Sequence, residues 1–223
     1  MCQLAIKERG IDEPIVNALY KPPMPIPIES MAIHHITEKM VAGKPAFVDA
    51  PEYAALKALF ESEDTISVAH NAAFDVGILA HENIVPKNVI CTYKVANALD
   101  PDDLIPNYRL QYLRYLLGIE IDAVAHDAFG DVLVLEAVFE RLLQKMITLK
   151  SSEEAALSEM IEISSRPMLF TTIRFGKHSG KKLKDIARSD PSYLQWLLTQ
   201  KKQSPDGETD WIYSLEYYLG RSA

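Results

Sequence analysis

Two short stretches of this sequence combine carboxylate and imidazole side chains at the starts of predicted helices. The first, residues 70–75, reads His-Asn-Ala-Ala-Phe-Asp and follows the apolar run 65–69, which has the length and composition of a buried strand. Asp75 then falls in the first turn of a predicted helix, on the face of the apolar side chains three and four residues further on. A carboxylate on such a face needs a partner, because an isolated charge is costly to bury. Taken alone, the stretch is explained equally well by Asn71 as a helix cap followed by an acid that the helix dipole favours.

The second stretch, residues 126–131, reads His-Asp-Ala-Phe-Gly-Asp and leads into a strongly amphipathic helix. Asp131 lies four residues before the predicted apolar stripe, so its carboxylate is also expected to point inward. His126 falls in the preceding loop. Two inward carboxylates on different helices and a titratable imidazole are the residue types of a metal-assisted hydrolysis site. The stripe consists of Leu135, Val138, Phe139, Leu142, Leu143 and Met146.

The two stretches, in this order, resemble the second and third motifs of the DEDDh exonucleases, the DnaQ-like branch of the ribonuclease H-like fold. Residues 32–37, Ala-Ile-His-His-Ile-Thr, look like the segment that follows the family's third strand, and the resemblance extends over residues 1–146. It implies an α/β fold in which helices flank a mixed sheet. It also implies removal of nucleotides from the 3′ ends of single-stranded DNA with two divalent ions, Mg²⁺ or Mn²⁺.

The resemblance assigns roles to individual residues of both stretches. Asp75 and Asp131 correspond to metal ligands, and His126 corresponds to the general base that takes a proton from the attacking water. An imidazole suits this task because its ordinary pKa is near neutrality. Substrate-binding roles are implied for His70, Asn71, Phe74 and His34. Each of these four residues is explained equally well by a structural role. For His34 the reason is that an adjacent histidine pair at a helix end is commonly a cap or a surface feature.

One family feature has no counterpart at the start of this sequence. Family members begin with a strand that carries Asp-x-Glu and supplies two further carboxylates, whereas residues 1–6, Met-Cys-Gln-Leu-Ala-Ile, resemble the strand that normally comes second. We therefore expect a ribonuclease H-like domain without its central strand, poorly folded or aggregation-prone, and inactive or impaired as a nuclease. We also expect the missing strand to be encoded upstream of Met1. The alternative is a non-catalytic remnant or fragment that keeps nucleic-acid binding.

The order of predicted elements describes an α/β layer fold. Residues 3–8 and 14–20 form a predicted hairpin, and residues 65–69 and 89–92 are two more strands separated by helices. In a ribonuclease H-like sheet the first strand lies between those at 3–8 and 65–69. Because neighbouring strands are about 4.8 Å apart, we expect a gap of roughly 10 Å at its place.

Composition indicates an ordinary globular protein, with 48% hydrophobic and 24% charged residues among 223. No run approaches the roughly 20 apolar residues of a membrane span, and no secretory signal is evident. Cys2 and Cys91 lie in apolar, strand-like segments and are predicted to be reduced, buried thiols. These features predict a cytoplasmic protein that does not bind membranes.

Charge is unevenly distributed along the chain. Residues 1–165 carry 13 basic and 25 acidic side chains, residues 166–202 carry 9 and 2, and the whole chain has a net charge of −8. A basic segment inside an acidic chain is a candidate phosphate-contacting face. A solvated, lysine-rich surface is an equal alternative.

The basic segment contains two glycines, Gly176 and Gly180, in a pattern one residue short of a phosphate-binding loop and without the hydroxyl that would hold magnesium. It resembles instead the small α+β module at the C-terminus of exodeoxyribonuclease X-like nucleases. We therefore divide the chain into an exonuclease domain at 1–147, a linker at 148–165 and this module at 166–223. Trp196 is predicted as core rather than as a base-stacking platform. Helical spacing predicts the core residues Tyr193, Leu194, Leu197 and Leu198.

Overall fold

The computed structural model describes residues 1–121, 128–205 and 207–220, which form two units. The first unit comprises Met1–Leu99 and Asn107–Ser164, and the second comprises Asp100–Pro106 and Ser165–Ala223. No helix within the described ranges combines the length and the apolar character needed to cross a membrane.

The four strands found among the described residues lie in the first unit and form two pairs. Strand β1 (Gln3–Lys7) pairs antiparallel with β2 (Pro14–Leu19), and β3 (Ile66–Ala69) pairs parallel with β4 (Asn88–Cys91). The turn between the first two strands contains Gly10 at φ +77°, a conformation that glycine adopts without a steric penalty. All four predicted strands are confirmed to within two residues.

The two strand pairs remain separate sheets. Within the described residues, β1 has β2 as its only hydrogen-bonded neighbour, and β3 has only β4. Antiparallel and parallel pairing both occur, as in a mixed sheet, and a strand between β1 and β3 would join them into one. The predicted α/β fold is confirmed, and the division into two small sheets agrees with the expected lack of a central strand.

Eight helices of the described residues lie in the first unit, with the last one ending at the boundary between the units. They are α1 (Ile28–His34), α2 (Glu38–Val41), α3 (Tyr53–Phe60), α4 (Ala73–His81), α5 (Thr92–Ala98), α6 (Leu110–Leu116), α7 (Ala128–Lys150) and α8 (Glu153–Ser165). The apolar stripe of α7 is buried as predicted, except that Leu135 is half-buried and Val134, one position earlier, is fully buried.

A hydrophobic cluster joins the β1–β2 sheet to the helices around it. Its buried members include Phe47, Leu56 and Leu79, and partly buried side chains of β1 and β2 pack against them. Because Leu79 belongs to α4, this cluster fixes the helix that carries Asp75 against the sheet. Long helix α7 is attached to the same sheet, since Lys7 of β1 donates to the carboxylate of Glu136 in its third turn.

The described residues of the second unit form three α-helices, a short 3-10 helix at Gly176–His178 and one β-bridge. The helices are α9 (Leu183–Ser189), α10 (Pro191–Gln203) and α11 (Thr209–Tyr218), and the bridge pairs Thr172 with Lys182. The predicted core positions Leu194, Leu197 and Leu198 are buried, and Tyr193 packs against them. The remaining fully buried members of the core are Ile173, Leu183, Ile186 and Leu215.

Trp196 does not belong to this core, because 54% of its surface is exposed. Successive helical residues are about 100° apart, so Trp196 lies roughly 200° from Leu194 and off the buried face. The prediction of Trp196 as a core residue was wrong.

The segment Asp100–Pro106 joins the second unit through one carboxylate. The Asp103 side chain is 8% exposed, and it accepts hydrogen bonds from Thr171 Oγ1 at 2.9 Å and Arg174 Nη2 at 2.7 Å. Lys182 Nζ lies 3.5 Å from the same group. Burial acts to raise the pKa of Asp103, but the hydroxyl donors and the two cations outweigh burial and lower it.

Candidate active site

Asp75 is positioned by the turn that leads from β3 into α4. Asn71 in this turn has φ +61°, and its carbonyl accepts from the Phe74 N–H at 3.0 Å. The helix N-cap is Ala72, whose own N–H donates to Cys91 Sγ at 3.4 Å. The interpretation of Asn71 as a side-chain cap is therefore wrong, because Asn71 serves as the left-handed turn residue that places Asp75 in the first helical turn.

The carboxylate of Asp75 is exposed to solvent and forms no ion pair with the described residues. Burial by the protein on its remaining sides nevertheless raises its pKa, against a smaller lowering effect of its own backbone N–H. A partly desolvated carboxylate without a cation is favourable for binding one, since the cation would stabilise its charged form. Phe74 beside it is 68% exposed.

Asp131 lies in the first turn of α7 and is half-buried. Its Oδ1 accepts a hydrogen bond from Gln111 Nε2 of α6 at 2.8 Å, and Gln111 Oε1 in turn accepts from Arg114 at 3.3 Å. This contact orients the carboxylate from a second helix. Sequence analysis did not identify Gln111, and its only signal was a polar residue at the start of the amphipathic helix α6.

His70 stands at the end of β3 and is held by a neighbour on the adjacent strand–helix junction. Its Nδ1 lies 2.8 Å from Thr92 Oγ1, and Thr92 also donates to the Ala69 carbonyl at 3.3 Å. Burial lowers the pKa of His70, and a smaller effect of the Tyr108 carbonyl opposes it. His70 is therefore neutral near pH 7 and serves as a hydrogen-bonding group at this strand end.

His34 forms a local contact at the end of α1. Its Nδ1 accepts from the Ile36 N–H at 3.0 Å, and the following residue, His35, has φ +59° and ends the helix. These contacts support the structural interpretation of His34 that the sequence left open.

His126 lies outside the described residues. Asp75 and Asp131 offer carboxylate oxygen, the donor type that Mg²⁺ and Mn²⁺ prefer. Within the described part of the chain, however, no three His, Cys, Asp or Glu side chains cluster closely enough to hold a metal ion. The donor chemistry thus fits a hard divalent cation, while the described residues supply only part of a coordination sphere.

A known family model matches part of each unit of the chain. The family model described as "Exonuclease" matches residues 2–139, and that described as "Exodeoxyribonuclease X-like C-terminal" matches residues 173–202. The two matches cover the two predicted exonuclease motifs and the basic segment, respectively.

Individual relatives agree with these families. The chain is 37% identical to Exodeoxyribonuclease 10 of Escherichia coli (strain K12) over 193 residues, which cover 84% of this chain and 79% of that protein. It is 32% identical to the DNA polymerase III subunit epsilon of Treponema pallidum (strain Nichols) over 134 residues, 57% of this chain and 60% of the relative.

A solved structure, described as exonuclease X in complex with 5′ overhanging duplex DNA, is similar in fold with a TM-score of 0.51 and 26% identity. The similarity covers 74% of this chain and 90% of that one. The exonuclease family model matches most of the first unit, a relative matches over most of its own length, and the ribonuclease H-like fold is shared with a solved exonuclease. The chain therefore belongs to the exonuclease family.

Proposed function

We propose that this chain is a metal-dependent 3′→5′ exonuclease acting on DNA, with single-stranded 3′ ends as its substrate. The observation that carries the proposal is Asp75, a solvent-accessible carboxylate at the start of α4 that is partly desolvated and has no cationic partner among the described residues. It lies inside the region that matches the exonuclease family. DNA as the substrate is supported by the relative named Exodeoxyribonuclease 10.

Asp75 and Asp131 would hold two divalent ions, Mg²⁺ or Mn²⁺. Such ions, when bound, lower the pKa of a coordinated water and stabilise the charge that develops on oxygen during displacement at phosphorus. Gln111 keeps Asp131 in one orientation through its 2.8 Å hydrogen bond, so that the carboxylate does not need to reorganise on binding.

The remaining side chains would handle the proton and the terminal nucleotide. His126 would take the proton of the attacking water, because an imidazole near its ordinary pKa accepts a proton at neutral pH. Phe74, with 68% of its surface exposed, would stack on the terminal base, while Asn71 and neutral His70 would contact the sugar and phosphate. His34 would line the groove with the part of its ring that the local hydrogen bond leaves free.

We further propose that residues 1–223 by themselves are inactive or impaired as a nuclease. The two strand pairs are not joined, and the described residues contain no cluster of three metal-binding side chains. These two observations also favour the second candidate function, which is nucleic-acid binding without catalysis.

Incubation with a 5′-labelled single-stranded DNA and Mg²⁺ or Mn²⁺ tests the proposal. With residues 1–223 we expect at most slow shortening from the 3′ end, which EDTA stops and Asp131→Asn removes, whereas Asp64→Asn, at an exposed acid of a loop, leaves it unchanged. Shortening that survives EDTA or Asp131→Asn would contradict the assignment. Binding of the DNA without any shortening by the wild-type chain would support the second candidate.

A further inference from the structure

We infer that the second unit carries a binding surface for single-stranded nucleic acid, on which the Trp196 indole stacks against a base and Lys177 contacts a phosphate. This inference deepens the proposed function and rests on it. This surface, called the Trp196 surface, consists of three side chains that contact one another in turn. They are Trp196 and Tyr193 on α10 and Lys177 in the loop before α9.

Trp196 exposes a large ring on a helix whose other apolar side chains are mostly buried. Its indole is 54% exposed, although its neighbours on α10 fill the core, and the other tryptophan of the chain, Trp211, is stacked on Phe170 at 4.4 Å between ring centroids. Single exposed apolar residues are common and need no explanation. The interpretation therefore depends on what surrounds Trp196.

A second aromatic ring and a cation lie beside it. The ring centroids of Tyr193 and Trp196 are 5.7 Å apart at an interplanar angle of 37°. Lys177 Nζ lies 5.1 Å from the centroid of the Tyr193 ring, and 60% of the Lys177 side chain is exposed. The ammonium group thus lies over a ring that itself adjoins the exposed indole, so that a charge for a phosphate and a π-face for a base belong to one connected surface.

The position of Lys177 is fixed by its own loop. Gly176 has φ +65°, and a Cβ at this residue would lie 2.5 Å from Tyr193 Oη, so only glycine allows the loop to approach Tyr193 this closely. The next residue, His178, is buried and lies 3.0 Å from Asp190, whose carboxylate also caps α10 and pairs with Lys177 at 2.7 Å. The loop and the helix start are therefore tied together before any ligand binds, which lowers the entropic cost of binding.

Charge complementarity identifies the partner. Residues 166–202 carry 9 basic and 2 acidic side chains in a chain whose net charge is −8. Lys184 and Arg188, one turn apart on α9, are exposed and form no ion pair within the described residues. A polyanion with unstacked, planar bases satisfies both the positive charge and the exposed indole, and single-stranded nucleic acid has this chemistry.

Fluorescence anisotropy with a labelled oligothymidylate in EDTA tests the inference on the full chain, because cleavage does not occur without a divalent ion. We expect Trp196→Ala to weaken binding about 5- to 100-fold, the usual effect of losing one base-stacking ring, with the salt dependence unchanged. Lys177→Ala should instead lower the slope of log affinity against log salt by about 1. The matched control is Tyr217→Ala, which removes a ring of similar exposure, 49%, from α11.

Two further readouts separate stacking from loss of structure. Bound oligonucleotide should quench the tryptophan emission of the wild-type chain but not that of Trp196→Ala, in which the packed Trp211 alone remains. Trp196→Phe should restore most of the affinity. Wild-type affinity in Trp196→Ala, an equal loss in Tyr217→Ala, or no binding by the wild-type chain would overturn the inference. Because none of these measurements uses metal, they are independent of whether Asp75 and Asp131 support cleavage.

Discussion

Replacement of Asp103 by asparagine should loosen the segment Asp100–Pro106 from the second unit. The substitution keeps the shape of the side chain but removes its negative charge. This charge pairs with Arg174 at 2.7 Å and Lys182 at 3.5 Å, and the carboxylate also accepts a hydrogen bond from the Thr171 hydroxyl. Only 8% of the carboxylate side chain is exposed, whereas both cations are about 40% exposed, so solvent can compensate the cations but not the acid. A charge-assisted hydrogen bond of this kind contributes about 1.5–3 kcal/mol, and screening of the exposed partners places the expected loss near the lower end.

Tryptophan fluorescence measures this loss selectively, because both tryptophans of the chain, Trp196 and Trp211, lie in the second unit. A change of about 1.5 kcal/mol corresponds to a Tm lower by roughly 6–12 °C for a unit of this size. The matched control is Asp102→Asn, since the neighbouring side chain is exposed and contributes only its backbone carbonyl to Lys182.

The pH dependence follows from the lowered pKa of Asp103. An acid whose pKa is lower in the folded state stabilises the fold above its unfolded pKa, near 3.9, and that stabilisation is lost as the pH falls through the folded pKa. The Tm difference between wild type and Asp103→Asn should thus be constant at neutral pH and shrink below about pH 4. Equal Tm values for Asp103→Asn and Asp102→Asn at pH 7, or a difference that grows in acid, would refute the reasoning.

Two further substitutions test contacts on which the site and the Trp196 surface depend. Gln111→Ala should lower metal-dependent activity about 10- to 100-fold, the usual cost of losing a group that orients a ligand, while Gln144→Ala, at an exposed position of α7, should leave activity unchanged in the same assay. Gly176→Ala should destabilise the second unit by about 1–3 kcal/mol, because φ is positive at this residue and the added Cβ would collide with Tyr193. Gly43→Ala is the control and should be neutral, because the space around its Cβ is open. Fluorescence-detected unfolding distinguishes the two variants.

Side-chain periodicity along the chain predicted the strands, the buried face of the long helix and the helical positions of the two aspartates. The strands β1–β4, the burial of α7 and the positions of Asp75 and Asp131 in first helical turns all follow from side-chain spacing along the chain. For Trp196 the residue type was a poor guide, since its large apolar side chain favours the core whereas its angular position on α10 lies outside the buried stripe.

Turn and cap chemistry was predicted less well, because polar residues compete for neighbouring positions. Ser151 and Ser152 are both residue types that cap helices, but Ser151 has φ +71° and the cap of α8 is Ser152, whose Oγ accepts from the Ala155 N–H at 3.1 Å. Asn107 is also of a capping type, but it lies three residues before α6 begins, and its Oδ1 accepts from the N–H of Arg109, the residue before the helix. Each of these side chains can satisfy a local backbone donor in more than one way.

Contacts between distant residues were not predictable from one sequence. The pairing of Gln111 with Asp131 and the capture of Asp103 by Arg174 join residues on separate elements, and no spacing rule connects them. Such contacts orient the carboxylates, so the sequence indicated which groups could do chemistry but not how they are held.

Titration of the chain with Mn²⁺, followed by calorimetry, tests without any catalysis whether Asp75 and Asp131 bind a metal ion. We expect the wild-type chain and Asp64→Asn to bind Mn²⁺ alike, and Asp75→Asn and Asp131→Asn each to weaken binding by about tenfold or more. Indistinguishable binding by all four proteins would contradict the assignment of these two carboxylates as the metal ligands of an exonuclease site.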